Sequence, residues 1–287
     1  MKSCHPAAAG KIVNALSIDL EDWYQVSDFN CIIKFSEWDK YENRLRRNTE
    51  KVLGLLDRHR VKATFFILTW NAEREPELVK EIHAAGHEIS SHGYSHQLIY
   101  QQTPAEFADD LKRSRHLIEN IIGEKVKGYR APSFSVTNRS LWAVDILLQQ
   151  GLQYDSSIFP ISRSLYGIPS AQRFPHLLKR ADGRQLIEFP ISTFRLGRWN
   201  LPFSGGAYLR ALPQRLIGLL LRRINKVGQP GIVYFHPWEV DPGQPKLKLP
   251  GNKRTMHYVN LETAENKLHY LLSHFSFAPI KEVLSLD

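Results

Sequence analysis

Ile12-Val-Asn-Ala-Leu-Ser-Ile-Asp19 is an apolar run that passes without a break into Leu20-Glu21-Asp22. A buried strand that stops on carboxylates is typical of parallel α/β sheets and barrels, whose carboxyl ends gather the active-site loops. The pattern recurs along the first half of the chain. Ala63 to Leu68, His87 to Ser91, a short run reaching Arg130, and Leu152 to Asp155 all read as strands. Amphipathic helices are expected between them. One is capped by Asn48 or Thr49 and runs to about His59. Another opens at Pro76 and closes at Gly86. A third starts in the capping box Thr103-Pro-Ala-Glu106 and ends near Gly123, and a fourth lies between Asn138 and Gln150. Alternating strand and helix predicts an α/β fold with a parallel sheet or barrel.

The rhythm loosens after Asp155. Residues 160–206 are rich in Pro, Ser, Arg and aromatics, with one clear strand at Gln185 to Ile191. Pro213 to Val227 reads as a helix containing the apolar run Leu216 to Leu221. Gly231 to His236 reads as a buried strand, and Leu261 to Phe275 as a last helix capped by Asn260. No repeat or linker interrupts the chain, so a single domain over 1–287 is expected. Residues 12–155 bear most of the motifs, and 156–287 complete the barrel.

Composition narrows the function classes. A 287-residue chain that is 43% hydrophobic and 23% charged can bury a substantial core, which excludes a disordered chain. Two cysteines, Cys4 and Cys31, cannot build a disulfide framework or a zinc ribbon, so a metal would fall to His and carboxylates. The net charge of +9 is scattered and no nucleic-acid-binding motif accompanies it, so no nucleic-acid partner is expected. Met1 to Lys11 has no apolar segment of the signal-peptide kind, which gives a cytoplasmic expectation. The basic surface allows peripheral attachment at the inner face of the membrane.

The strand ends hold the chemistry. They carry Asp19-Leu-Glu-Asp22, Ser90-Ser-His92-Gly-Tyr-Ser-His96, Arg130-Ala-Pro-Ser-Phe134 and His236-Pro-Trp-Glu239. His92 and His96, four apart, would face the same way on a helical turn and could form two corners of a metal site. A carboxylate from the Asp19 to Asp22 cluster would complete a two-His, one-carboxylate set with open positions. Arg130 sits before a Pro-restricted turn, placed to hold a buried carboxylate. His236, at the mouth of an apolar strand, is placed to protonate an amine.

In order and type these motifs resemble the polysaccharide deacetylases of the NodB-homology type, carbohydrate esterase family 4. Ser17 to Trp23, Gly128 to Ser135, Glu188 to Thr193 and Tyr234 to Asp241 look like the exosortase-associated branch found in exopolysaccharide gene clusters. The resemblance implies a distorted (β/α) barrel of about seven strands, a divalent metal that is usually zinc, and hydrolysis of N-acetyl groups on amino sugars. Carried over by position, Asp19 is the base, His92 and His96 are metal ligands, and Arg130 orients the base. Asp155 tunes the acid, and His236 is the acid. Ser133 supplies an oxyanion N–H. The usual pair of adjacent aspartates is missing, so the third ligand is Asp22 or Glu21, with Asp22 preferred. Trp23 and Trp238 are the aromatics expected to line the site against an N-acetylated glycan. The alternatives are a hydrolase of cyclic amides or ureides on the same fold, and a carbohydrate-binding protein without activity.

Overall fold

The computed structural model describes residues 12–286 apart from 164, 180–182 and 250. Cys4 and the N-terminal stretch through Lys11 lie outside the described residues. The strands are β1 (Val13–Leu20), β2 (Thr64–Ile67), β3 (Glu88–Ser91), β4 (Gly128–Tyr129), β5 (Tyr154–Asp155), β6 (His176–Lys179), β7 (Gln185–Glu188), β8 (Thr193–Leu196), β9 (Trp199–Pro202), β10 (Ile232–Phe235) and β11 (Ser276–Ala278). Their order in the main sheet is β10-β1-β2-β3-β4-β5-β7-β6, with β11 added along β1. The seven strands from β10 to β7 are mutually parallel and β6 runs antiparallel at the edge. This is the distorted α/β barrel the sequence predicts, curled and open between β6 and β10. The segment after β7 crosses the opening. Ser192 Oγ accepts from Ile232 N, and Tyr234 N donates to Ser204 O.

Strand alternation explains why the site faces one way. Leu16, Ile18 and Leu20 of β1 join Phe65, Ile67, Val233 and Phe235 in the large cluster that also takes Val52, Leu55 and Leu56 of helix Leu45–Arg58. Ala15 points the other way, with Phe66, Tyr154, Ile232 and Tyr234 in a second cluster. The period of two therefore sends Ser17 and Asp19 to that second, inner face, and sends His236 there from β10. A third cluster of Trp23, Tyr24, Phe29, Trp38, Trp70 and Trp238 sits on the loops beyond the strand ends.

The helices follow the sequence signals closely where turn chemistry is explicit. Helix Pro104–Ile122 has the Thr103/Glu106 capping box on both sides and ends on left-handed Gly123. Helix Leu45–Arg58 begins earlier than Asn48, and Asn260 caps helix Leu261–His274 with no side-chain bond. Leu216 and Leu219 of helix Gln214–Lys226 are exposed, whereas Ile217, Gly218 and Leu221 of that apolar run are buried and Leu220 packs partly buried against the core. No helix among the described residues is long and apolar enough to cross a membrane.

Candidate active site

Asp19 and His236 approach each other because β1 and β10 are paired with Ile18 opposite Phe235. His236 Nε2 lies 3.8 Å from Asp19 Oδ2. The other Asp19 oxygen accepts from Arg130 Nη1 at 2.7 Å, and both groups are almost completely buried. Arg130 is fixed on every side, since it also donates to Ser17 Oγ, to Ser156 O and to Ser156 Oγ. A buried charge pair with its remaining hydrogen bonds made is the form that survives desolvation.

His92 and His96 come together across a loop rather than along a helical turn. The chain after β3 is irregular, Gly93 has φ +74° and His96 φ +54°, and the rings lie 5.5 Å apart. His92 Nδ1 lies 2.7 Å from the carbonyl of Arg130, which leaves Nε2 turned to the site. The carboxylate between the two rings belongs to Glu21. Its Oε1 is 2.8 Å from His92 Nε2 and 3.1 Å from His96 Nε2. The preferred carboxylate, Asp22, lies elsewhere. Its Oδ1 accepts from Trp23 N at 2.8 Å and its Oδ2 from Arg44 N at 2.6 Å, at the start of helix Leu45–Arg58. Burial would raise Glu21, but His96 and His92 hold it well below the usual carboxylate range, whereas burial raises Asp22 to about 6.

The donor set Glu21, His92 and His96 fits a divalent cation of the zinc class. Their ligand atoms lie within 4.8 Å of one another, and Glu21 Oε2 is buried without a hydrogen-bond partner.

Asp155 is placed differently from the expectation that it tunes His236. On β5 it follows inward-facing Tyr154, so its carboxyl is directed away from the histidine. Asp155 bonds Ser157 Oγ at 2.5 Å and stands opposite Glu188 of β7. Burial raises Asp155 to about 6 and Glu188 well above its ordinary value, the charge of Asp155 adding to the latter. The carboxylate on His236 is Glu239, whose Oε1 lies 2.6 Å from Nδ1 and whose Oε2 accepts from Arg210 Nε at 2.6 Å. Burial alone would lower His236, but Glu239, Glu21 and Asp19 outweigh it and raise the ring to about 9.

These groups open into one cavity of about 520 Å³, lined by Asp19, Glu21, His96, Ser133, His236 and Trp238 among others. Trp238 stacks on His236 at 5.2 Å, and its buried indole N–H has no partner. Ser133 lies on the wall with φ +49°, its hydroxyl donating to Ser27 Oγ. Trp23 does not line the cavity. It is 1% exposed, packed edge-on to Tyr24, Phe29 and Tyr41, with Nε1 donating to Glu42 O.

Residues 37–154 match the family model "Polysaccharide deacetylase", and residues 156–285 match "Domain of unknown function (DUF3473)". Residues 37–154 thus form a polysaccharide deacetylase domain. A peptidoglycan-N-acetylglucosamine deacetylase of Bacillus cereus is 31% identical over 120 residues, 38% of this chain and 44% of that protein. A peptidoglycan deacetylase of Helicobacter pylori is 33% identical over 108 residues, 38% of this chain and 36% of that one. The chain thus spans less than half the length of these curated relatives. A crystal structure from Mycobacterium smegmatis, assigned to the polysaccharide deacetylases, superposes with TM-score 0.66 over 98% of this chain and 91% of that one, at 19% identity. That likeness establishes the fold.

The sequence reading missed Glu239 as the partner of His236, although His236-Pro-Trp-Glu239 has the i,i+3 spacing of a capping box. It also left Glu21 second to Asp22. Along an extended strand Glu21 shares the face of Asp19, and Asp22 takes the face of Leu20.

Proposed function

We propose that this protein is a metal-dependent hydrolase that removes the N-acetyl group from an amino sugar of a bacterial polysaccharide or its biosynthetic intermediate. The observation that supports it most is that Asp19, Glu21, His96 and His236 line one cavity, with His92 beside Glu21 and with Asp19 and His236 3.8 Å apart on neighbouring strands.

A divalent cation held by Glu21, His92 and His96, zinc being the expected one, would supply Lewis-acid polarisation of the amide carbonyl and acidify water beside it. The remaining roles belong to the chain. Asp19, aligned by Arg130, accepts the proton of the attacking water. His236, its Nδ1–H engaged by Glu239, presents Nε2 to the leaving nitrogen and protonates it as the C–N bond breaks. The products are acetate and a free amine. The Ser133 backbone N–H is the donor assigned to the developing oxyanion, and the Trp238 indole N–H is available to a sugar hydroxyl. Residues 156–285 supply the acid and part of the cavity wall, which is why we read the two matched stretches as one working domain. An exopolysaccharide intermediate at the cytoplasmic face of the membrane is the setting we assign to the reaction.

The test is acetate release from N-acetylglucosamine oligosaccharides by zinc-loaded, chelator-treated and Asp19→Asn protein. Release by the loaded protein, lost on chelation and by at least about 10²-fold in the variant, is the expected result. Undiminished release after chelation, or in the variant, would remove the assignment.

A further inference from the structure

The cavity also carries Arg163, Tyr166 and Tyr208, which the hydrolytic step does not use. Arg163 Nε donates to Tyr208 Oη at 2.9 Å, and Tyr208 Oη lies 3.2 Å from Tyr166 Oη. Tyr166 stacks on Phe159, a ring buried in the inner cluster, with centroids 5.7 Å apart and planes at 12°. The guanidinium is thus tethered to the core although its own residue is exposed. The acids around it are otherwise engaged. Asp19 is bound to Arg130, Glu21 lies between the two histidines, and Glu239 is bound to Arg210. Asp28 is faced by Lys253 and Arg210. Among the described residues no carboxylate forms an ion pair with Arg163, whose guanidinium is engaged by the two tyrosine hydroxyls alone. With Nε held by a tyrosine, the two Nη groups form a fork suited to a two-oxygen anion.

We propose that Arg163, positioned by Tyr208, recognises an oxyanion on the substrate, so that the natural glycan is acidic, with a carboxylate or phosphate close to the N-acetylated sugar. The inference rests on the deacetylase reading for the identity of the sugar. The cation and its tyrosine tether do not depend on that reading.

Calorimetry on the zinc-loaded Asp19→Asn protein separates the two. Three oligosaccharides of equal length serve as probes: neutral N-acetylglucosamine units, the same with a glucuronate neighbour, and the neutral one with a reducing-end phosphate. One acidic probe is expected to bind about tenfold more tightly than the neutral one, a difference of about 1.4 kcal/mol. Which acidic probe does so identifies the anion. Adding Arg163→Gln is expected to bring the ratio to about one, whereas Arg198→Gln, on the β8–β9 turn outside the cavity, is expected to preserve it. Equal binding of all three, no binding, or a preference that survives Arg163→Gln overturns the proposal. So does equal loss in both variants, which would mean general attraction to a basic surface. Binding is read without turnover. Failure of the Asp19-containing protein to release acetate would therefore count against the deacetylase reading alone.

Discussion

His236 Nδ1 and Glu239 Oε1 are 2.6 Å apart at the mouth of β10, within one turn of chain. This contact fixes which nitrogen of the ring faces the cavity. Glu239→Gln is expected to lower kcat by about 10²-fold with a smaller change in KM, because the ring is oriented and charged by this carboxylate. It should also move the basic limb of the pH–rate profile to lower pH. A variant with an unchanged profile would show that Glu239 only packs Arg210.

Glu21 and Asp22 separate by metal content. Glu21→Ala protein is expected to lose bound zinc on dialysis, as measured by elemental analysis. Asp22→Ala protein is expected to retain it but to lose about 1–2 kcal/mol in denaturant unfolding, since two backbone amides lose their acceptor. The reverse pattern would make Asp22 the ligand.

Arg130→Leu leaves Asp19 buried without its partner. A loss of about 3–5 kcal/mol is expected, read from the urea midpoint. A loss under about 1 kcal/mol would mean that water or rearrangement reaches this carboxylate.

His87 gives the fold a pH dependence. Its Nδ1 accepts from Ala63 N at 3.2 Å, and burial followed by Lys62 lowers it to about 4. The unfolded chain takes that proton near 6.5. Between about pH 4 and 6.5 the unfolded state binds more protons, so stability rises with pH and is lost on acidification. His87→Gln, which keeps an acceptor, is expected to flatten this slope by an amount on the order of 1–2 kcal/mol between pH 7 and 4.5, allowing for solvent screening. Identical slopes would shift the effect to other groups such as His257.

Gly205 has extended backbone and is excluded from substitution by its neighbour alone. A Cβ there would stand 2.1 Å from the Tyr234 ring and 2.5 Å from the Tyr234 carbonyl. Gly205→Ala is expected to cost about 1–3 kcal/mol. It should also reduce activity through His236, two residues beyond Tyr234. A thermal midpoint equal to that of the parent would refute this.

The elements legible from sequence are those with local signals. Short apolar runs that stop on polar residues mark β1, β2, β3 and β10, and the Thr103 capping box marks its helix to within a residue. The hairpin β8–β9, strand β6 and helix Gly206–Ala211 were not read, because their stabilisation is tertiary and their residues are mixed in polarity. The site was legible as a set of strand ends. Its pairings were not, because they depend on alternation and on contacts between distant strands. Asp155 was assigned by order along the chain and Glu188 meets it only across the sheet. Trp23 is expected to line the site as an aromatic at a strand mouth, but one turn of chain is enough to bury it against Tyr24 and Phe29.

The pairing of β1 with β10 joins residues more than two hundred positions apart. A nascent chain that has released everything through β5 carries Asp19 and the histidine pair, but one flank of β1 is still bare and His236 has yet to be synthesised. Such long-range pairing forms late and slowly, and the open strand edge is exposed until then. The proposed hydrolytic site is therefore completed only near the end of synthesis, and a chain truncated before Ile232 is expected to accumulate as an aggregation-prone fragment.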